Sequence, residues 1–366
     1  MIYRHDTMQI EIHWLVENAR HVTIVPERIR EVATALKREL EREQPFQTDP
    51  HRYPNETLTQ NNLDTLQFYF ALTSQHFCIW RRNGSGDVGA WDIEIGGERY
   101  VGGRGINAAL IRALRQGKNL LDPAYLASMT MEDVKDLYRD ERSGEVSLQL
   151  LPQRLAKFNE IGRVLTQQYR GHVANLLEQT EGYLFRDDGR GLVQELMLNF
   201  PIAYFDWPFA KLAILYRKLV NVRNRVNVPT SQEYRTLTEA RDPENAEVAA
   251  DYYIPLFFIR TGIFRVSPAF SERLRRQQLI ERNSRMEQEF RACTMAAGRA
   301  IAEEIGAAIP VVDEELWRTG YTRCRLCRSD VTDDELPCPY RHLSIGYQTE
   351  PTLMEMRWPL VLTTCY

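Results

Sequence analysis

The sequence predicts a mainly α-helical protein that forms one compact domain. Apolar residues recur every three to four positions through much of the 366-residue chain, which is the period of a helix buried on one face. Only one stretch, 78–100, alternates apolar and polar residues as a half-buried strand does. No internal repeat, low-complexity tract or long Pro/Gly/Ser-rich linker divides the chain.

The positions of the helices are predicted from this spacing and from residues that are common at helix starts. Pro26 precedes a helix predicted over 27–43, because proline is favoured in the first turn. A second helix is predicted over 61–74. Thr130 is a predicted N-cap, with acidic residues in the turn that follows it. Further helices are predicted at 152–168, 171–179, 190–199, 208–220, 270–282 and 284–306.

The β-like stretch contains two predicted strands, 78–80 and 91–95. Asn-Gly-Ser-Gly at 83–86 and the pair Gly96-Gly97 supply turn residues between and after them. We expect a small hairpin or a three-stranded sheet, flanked by helices.

Composition narrows the function classes. The net charge of -4 argues against a nucleic-acid binder, which usually carries a basic surplus, although a small basic pocket for one phosphate is compatible with it. No stretch approaches the roughly 18 to 20 apolar residues of a membrane span, and residues 1–6 lack the apolar core of a signal peptide. We therefore expect a cytoplasmic protein.

The segment 247–255 places one carboxylate, Asp251, among small and apolar residues, followed by Tyr252 and Tyr253. A carboxylate there should be partly out of water, where it must be paired, protonated or used in chemistry. Two interpretations are open from the residues alone. Asp251 is either a helix cap or arginine partner, or a functional carboxylate.

Ala-Asp-Tyr-x-x-Pro at 250–255 is one of several motifs that occur in a characteristic order. The others are 63–66, 77–80, 97–102, 107–114, 154–162, 200–213, 289–292, 313–317 and 339–342. In order and spacing these motifs resemble the queuosine salvage proteins, glycosidases that release the base queuine from queuosine 5'-monophosphate. The resemblance covers about residues 10–347 and implies a fold similar to the helical DNA glycosylases.

The resemblance implies that Asp251 is the catalytic residue. Cleavage of an N-glycosidic bond passes through a sugar cation, and a fixed carboxylate stabilises that charge as it develops. Alternatively the carboxylate attacks the sugar and forms a glycosyl-enzyme intermediate. Queuine is a 7-deazaguanine, so the ring nitrogen that is usually protonated to help a purine leave is a carbon. Stabilisation of the transition state therefore depends more on the carboxylate beside the sugar.

The resemblance also implies a set of substrate-binding residues, for a small-molecule nucleotide. They are Lys211, Asp206, Tyr252, Asp313, Glu314, Phe77, Tyr100 and Ala249. Lys211, at a predicted helix start, would bind the 5'-phosphate; a solvated lysine on a helix face is the alternative. Asp313 and Glu314 would bind the base and its cyclopentenediol arm, or belong to a solvated helix start. Phe77 and Tyr100 would line an aromatic wall, or pack in the core.

Several positions depart from the family pattern. Leu212 and Ile214 stand where the family has Arg and Gln, and Arg217 is a candidate to supply the lost contact. Arg318 replaces an acidic residue, and Ala249 replaces a phenylalanine that stacks on the base. Because the departures concern base recognition, an N-glycosidase of another modified or deazapurine 5'-nucleotide is an alternative function. A non-catalytic, zinc-stapled module that binds nucleotides or nucleic acid is a further alternative.

Cys324, Cys327, Cys338 and His342 have spacing compatible with a structural zinc site. Most of this group lies in a stretch, 320–338, that resembles an insertion, and a metal would stabilise such a polar segment. Free cysteines or a disulfide are the alternatives. Glycoside hydrolysis itself requires no cofactor.

The resemblance assigns residues 1–347 to the glycosidase domain and 348–366 to a C-terminal tail. Residues 358–362 of the tail are apolar and should pack on the domain or on a partner. The resemblance therefore implies hydrolysis of queuosine 5'-monophosphate to queuine and ribose 5-phosphate. Composition predicts no nucleic-acid or membrane partner, and the oligomeric state is undetermined.

Overall fold

A computed structural model describes residues 3–42, 62–82, 88–222, 231–324 and 338–366. Helices dominate these ranges, as the sequence predicts. They are α1 (His5–Glu17), α2 (Pro26–Arg42), α3 (Asn62–Ser74), α4 (Gly103–Arg115), α5 (Pro123–Ser128), α6 (Met131–Leu137), α7 (Leu151–Gln168), α8 (Val173–Thr180), α9 (Leu192–Asn199), α10 (Pro201–Tyr204), α11 (Lys211–Val222), α12 (Gln232–Thr238), α13 (Ile254–Arg260), α14 (Pro268–Arg275), α15 (Arg285–Ile305), α16 (Ile309–Arg318), α17 (Ile345–Gln348) and α18 (Thr352–Glu355). Single 3₁₀ turns occur at Pro243–Asn245 and Arg341–Leu343, and a π-helical turn at Thr319–Arg323 follows α16.

The strands of the described residues form four separate two-stranded sheets. Antiparallel pairs join β1 (Val22–Ile24) to β6 (Phe264–Val266), β2 (Trp80–Arg82) to β3 (Val88–Ala90), and β4 (Asp92–Ile95) to β5 (Glu98–Val101); a parallel pair joins β7 (Leu279–Ile280) to β8 (Leu360–Val361).

The β-rich stretch after residue 78 is confirmed, but as two hairpins rather than one three-stranded sheet. Gly96 and Gly97, with φ of 60° and 79°, form the turn of the second hairpin, as predicted. The first strand begins at Trp80 instead of Cys78, whose φ of 46° is incompatible with an extended strand. The predicted turn at 83–86 lies outside the described residues.

Most predicted helices are confirmed within a few residues. Thr130 caps α6 in a capping box with Asp133, each side chain bonding the backbone of the other. The helix predicted over 270–282 is wrong at its end. It stops at Arg275, because Gln277 adopts a left-handed φ of 50° and the chain then pairs as β7.

The long helix α15 runs through the hydrophobic core and packs against α1, α2 and α16. Ser284 caps its start, and Gly306 ends it in the left-handed conformation. Gly298 lies in its middle, where a Cβ atom would come within 2.6 Å of the Val248 side chain. This close approach brings the segment that contains Asp251 against the central helix.

The C-terminal tail packs on the domain rather than extending away from it. Trp358, Leu360 and Tyr366 are buried in the same core as the helices. Lys157 on α7 donates from Nζ to the carbonyls of Ala203 and Thr364, both at 2.7 Å, and therefore ties the tail to the helices. Within the described ranges, no helix combines the length and the apolar composition that a bilayer crossing requires.

Candidate active site

A cavity that is partly open to solvent lies among α4, α11, α16, the loop that follows α3 and the segment that precedes α13. Asp251, Lys211, Asp313, Tyr252 and Ala249 all contribute to its wall. Five of the candidate side chains, from three distant parts of the sequence, therefore lie at one cavity.

Asp251 is fixed at the floor of this cavity by the start of α13. Its Oδ1 atom accepts hydrogen bonds from the backbone N–H groups of Tyr253 (2.8 Å) and Ile254 (3.1 Å). Its other oxygen, Oδ2, makes no hydrogen bond with the described residues. The helix cap and the functional carboxylate are therefore compatible interpretations, because one oxygen caps α13 and the second is available to a ligand.

The charge state of Asp251 is set by opposing effects. The side chain is 5% exposed, and burial raises the pKa of its carboxyl above the ordinary value. The charge of Lys211 and the two backbone N–H donors act against that rise. A buried carboxylate that faces a cation and a cavity is typical of a functional site.

Lys211 is the first residue of α11 and is buried, so the alternative of a solvated lysine is wrong. Its Nζ donates to the carbonyl of His76 at 3.2 Å. Burial lowers the pKa of Lys211 to about 8, although the charge of Asp251 partly opposes this effect. Lys211 can therefore gain or lose a proton near neutral pH, unlike an exposed lysine.

Asp206 supports Lys211 and does not line the cavity. Its two carboxylate oxygens receive a bidentate pair of bonds from Arg291, at 2.8 and 2.6 Å, and Oδ2 accepts from the Lys211 backbone N–H at 3.1 Å. Arg291 in turn covers the rings of Phe209 and Tyr366. The geometry gives Asp206 a positioning role at the N-terminus of α11.

The N-terminus of α4 contributes a part of the site that sequence reasoning missed. Gly103, Arg104 and Asn107 line the cavity next to His76. His76 donates from Nδ1 to the carbonyl of Leu72 at 3.0 Å, and a Cβ atom at Gly103 would come within 3.2 Å of its Nε2. The turn at Gly102, with φ of 62°, brings the start of α4 against His76.

Asp313 lines the cavity from the middle of α16. Its Oδ1 accepts from the Ala249 backbone N–H at 3.1 Å, and its Oδ2 forms an ion pair with Lys218. Glu314 also pairs with Lys218, at 3.3 Å, but lies outside the cavity wall. Both acids are almost fully buried, so the alternative of a solvated helix start is wrong.

Aromatic side chains form one wall of the cavity. Tyr252 and Tyr253 contact each other with ring centroids 4.7 Å apart, and Tyr321 meets Tyr253 edge-on at 5.1 Å. Trp317 stacks on Tyr321 at 5.0 Å and 11°. Tyr366 reaches the same cavity from the tail and donates from its hydroxyl to Glu287 at 2.9 Å. Apart from Tyr252, the aromatic residues of this wall are not among those that the sequence suggested.

Phe77 and Tyr100 do not line this cavity. Phe77 is fully buried beneath the cations of Arg154 and Lys157, at 4.1 and 4.5 Å from its ring centroid. Tyr100 lies on the second hairpin and donates to Glu98 at 2.6 Å. Arg217, the suggested substitute for the missing family arginine, lines a different cavity.

The proposed zinc ligands are only partly described. Cys324 is buried, Cys338 is half-buried and His342 is exposed, whereas Cys327 lies outside the described residues. Among the residues that the structure covers, no group of three or more histidine, cysteine or acidic side chains is arranged to hold a metal ion. The four-ligand site therefore stays a prediction.

The arrangement can stabilise a cation at Asp251 and bind an anion beside Lys211. The buried surroundings reduce dielectric screening, which strengthens both interactions. Aromatic rings supply faces on which a planar group can stack. These features suit a ligand that combines a phosphate, a sugar and a base.

Comparison with known proteins agrees with this geometry. A family model described as "Queuosine salvage protein" matches residues 54–319. A Sphaerobacter thermophilus protein named queuosine 5'-phosphate N-glycosylase/hydrolase is 28% identical over 321 residues, which is 84% of this chain and 90% of that protein. Proteins of the same name from Nematostella vectensis and Mus musculus are 25% and 23% identical, over 62% and 63% of this chain and 62% and 65% of their own lengths.

Proposed function

Because the chain belongs to the queuosine salvage protein family, we propose that it hydrolyses queuosine 5'-monophosphate to queuine and ribose 5-phosphate. The observation that carries this proposal is the carboxylate of Asp251, which is buried at a cavity, held through one oxygen and available through the other. That is the arrangement required of a group that must meet a sugar cation without moving.

In the proposed reaction the C1'–N bond breaks and its electron pair leaves with the base. Positive charge develops on C1' and the ring oxygen, next to Asp251. The carboxylate stabilises this charge or bonds to C1', and water completes the hydrolysis. Because the ring nitrogen used by ordinary purines is a carbon in queuine, donors to other atoms of the base must help it leave.

The residues that line the cavity suggest which of them would bind each part of the substrate. Lys211, Arg104 and His76 surround the N-terminus of α4, where backbone N–H groups and the helix dipole favour an anion. These groups suit the 5'-phosphate. Asp313 and the aromatic side chains that line the same cavity suit the base and its hydroxylated arm.

A second candidate is the same hydrolysis with a different base. Both oxygens of Asp313 are engaged, one by Lys218 and one by the Ala249 backbone. In addition, Ala249 offers no ring to stack on a base. These contacts favour a base other than queuine, whereas the residues that would act on the sugar are unaffected.

A nucleotide panel separates the candidates. We would incubate purified protein with queuosine 5'-monophosphate, queuosine, GMP and AMP, and detect the released base by chromatography. Release of queuine from the monophosphate alone supports the main proposal. Release only from another nucleotide would support the second candidate, and no release from any nucleotide by folded protein would contradict both.

A further inference from the structure

A second cavity lies on the other side of α11. It is partly open to solvent. Residues 211, 215 and 219 of the helix face the active site, whereas Ile214, Arg217 and Asn221, at the spacing of an adjacent helix face, line the second cavity. Lys218 borders both. The two cavities are therefore neighbours that share one helix as a wall.

Arg217 is the unusual residue of this second cavity. It is 7% exposed, yet it forms no hydrogen bond or ion pair with the described residues, and its Nη2 is buried without an acceptor. Burial lowers the pKa of Arg217 to about 10, which leaves the side chain charged at neutral pH. A buried charge without a partner destabilises the folded state.

Asp242 and Glu239 attract the guanidinium of Arg217 electrostatically, but no nearby carboxylate of the described residues bonds it directly. Asp242 accepts from the backbone N–H groups of Leu184 and Phe185, at 2.7 and 3.0 Å. Glu247 is bound by His5, Gln9 and Arg299. Glu239 lines the cavity but is exposed to water and forms no ion pair with Arg217. The guanidinium therefore lacks the anionic partner that buried arginines usually have.

The rest of the cavity wall is mostly apolar. It includes Phe185, Val193, Ile214, Ala246 and Pro310. A small, bare anion would gain little from such a wall, whereas an anion attached to an apolar body would gain from the wall and from Arg217. The planar guanidinium fork matches the oxygens of a carboxylate or a phosphate.

We propose that this cavity is a second ligand site, in which Arg217 binds the carboxylate or phosphate group of a small organic anion whose apolar body contacts the surrounding wall. The proposal does not depend on the reaction assigned to the active site. It explains why the chain retains a charged side chain in a place where no described residue pairs with it.

The first test measures binding by calorimetry. Benzoate and phenyl phosphate are the probes, benzyl alcohol is the neutral control, and inorganic phosphate is the control without an apolar body. We expect at least one aromatic anion to bind wild-type protein, with about tenfold or more loss in Arg217→Met and in Arg217→Gln. Lys211→Met, altered in the active site, should bind the probe as wild type does.

Three outcomes would overturn the proposal. They are no binding of either aromatic anion, equal binding by the Arg217 variants, and loss of binding in Lys211→Met, which would place the probe in the active site. Binding of inorganic phosphate as tight as that of phenyl phosphate would refute the role of the apolar wall.

The second test measures thermal stability without ligand. Arg217→Met should melt at a higher temperature than wild type, because an unpaired buried charge is removed. Arg154→Met is the matched control. Arg154 is also fully buried, but it donates to the carbonyls of Gln75 and Phe77 at 2.7 Å, so its loss should lower the melting temperature. An equal decrease in both variants would give Arg217 a structural role and contradict the proposal.

Discussion

The substitution Asp251→Asn removes the charge of the proposed catalytic group and keeps its shape. The asparagine carbonyl can still accept the two backbone N–H bonds at the start of α13, so the fold should persist. A carboxylate about 4 Å from a unit positive charge contributes about 4 kcal/mol at an effective dielectric constant of about 20. That energy corresponds to about a thousandfold in rate, and a nucleophilic role would increase the loss.

The assay compares kcat for queuine release by wild type and Asp251→Asn, with melting temperature as the control for folding. Asp251→Ala provides the contrast, because it removes both the charge and the helix cap. If Asp251 only caps α13, the asparagine variant should remain active and only the alanine variant should lose stability. A kcat for Asp251→Asn within tenfold of wild type would refute the catalytic assignment.

The remaining predictions concern four other residues. Lys211→Met should raise KM for the 5'-monophosphate more than for the nucleoside. Since burial lowers the pKa of Lys211 to about 8, wild-type kcat/KM for the monophosphate should fall as pH rises through that value; a flat profile in steady-state assays would contradict phosphate binding by the charged lysine. Burial also lowers the pKa of Lys157 to about 7 from an ordinary value of 10.5, so the unfolded chain binds an extra proton between these values and stability should rise with pH. Urea unfolding at pH 7 and 9 should show a slope of up to about 1 kcal/mol per pH unit that Lys157→Met lacks, and equal slopes would contradict it. Tyr366→Ala should lower kcat/KM about tenfold or more, because the ring lines the cavity and its hydroxyl bonds Glu287. Wild-type kinetics in this variant would contradict a contribution of the tail to the active site. Chelator-washed protein should retain one equivalent of zinc by elemental analysis, and Cys338→Ser should lose it; a zinc-free wild type would refute the metal site.

Local sequence patterns predicted much of the helical fold, and they failed where tertiary packing decides. α13 is buried on every side, so it has no polar face and no clear helical period. The end of α14 depends on a left-handed residue, Gln277, whose side chain bonds the carbonyls of Leu274 and Trp358. A bond to the distant tail is invisible to a local pattern.

The same difference between local sequence signals and tertiary packing applies to the candidate site. Asp251, Lys211 and Asp313 lie in motifs with recognisable local chemistry, and all three reach the cavity. His76 and Tyr366 lie in segments without such a signal and reach the cavity only through the tertiary fold. Gly102 was one available clue, because a glycine before a helix start permits the turn that brings α4 to His76.

The most direct test of the account is a time course of wild-type protein with queuosine 5'-monophosphate, in which both products are quantified. The account predicts that queuine and ribose 5-phosphate appear in equal amounts as the nucleotide disappears, and that Asp251→Asn slows both equally. Folded wild-type protein that leaves the nucleotide intact, or that releases phosphate without free base, would contradict the account.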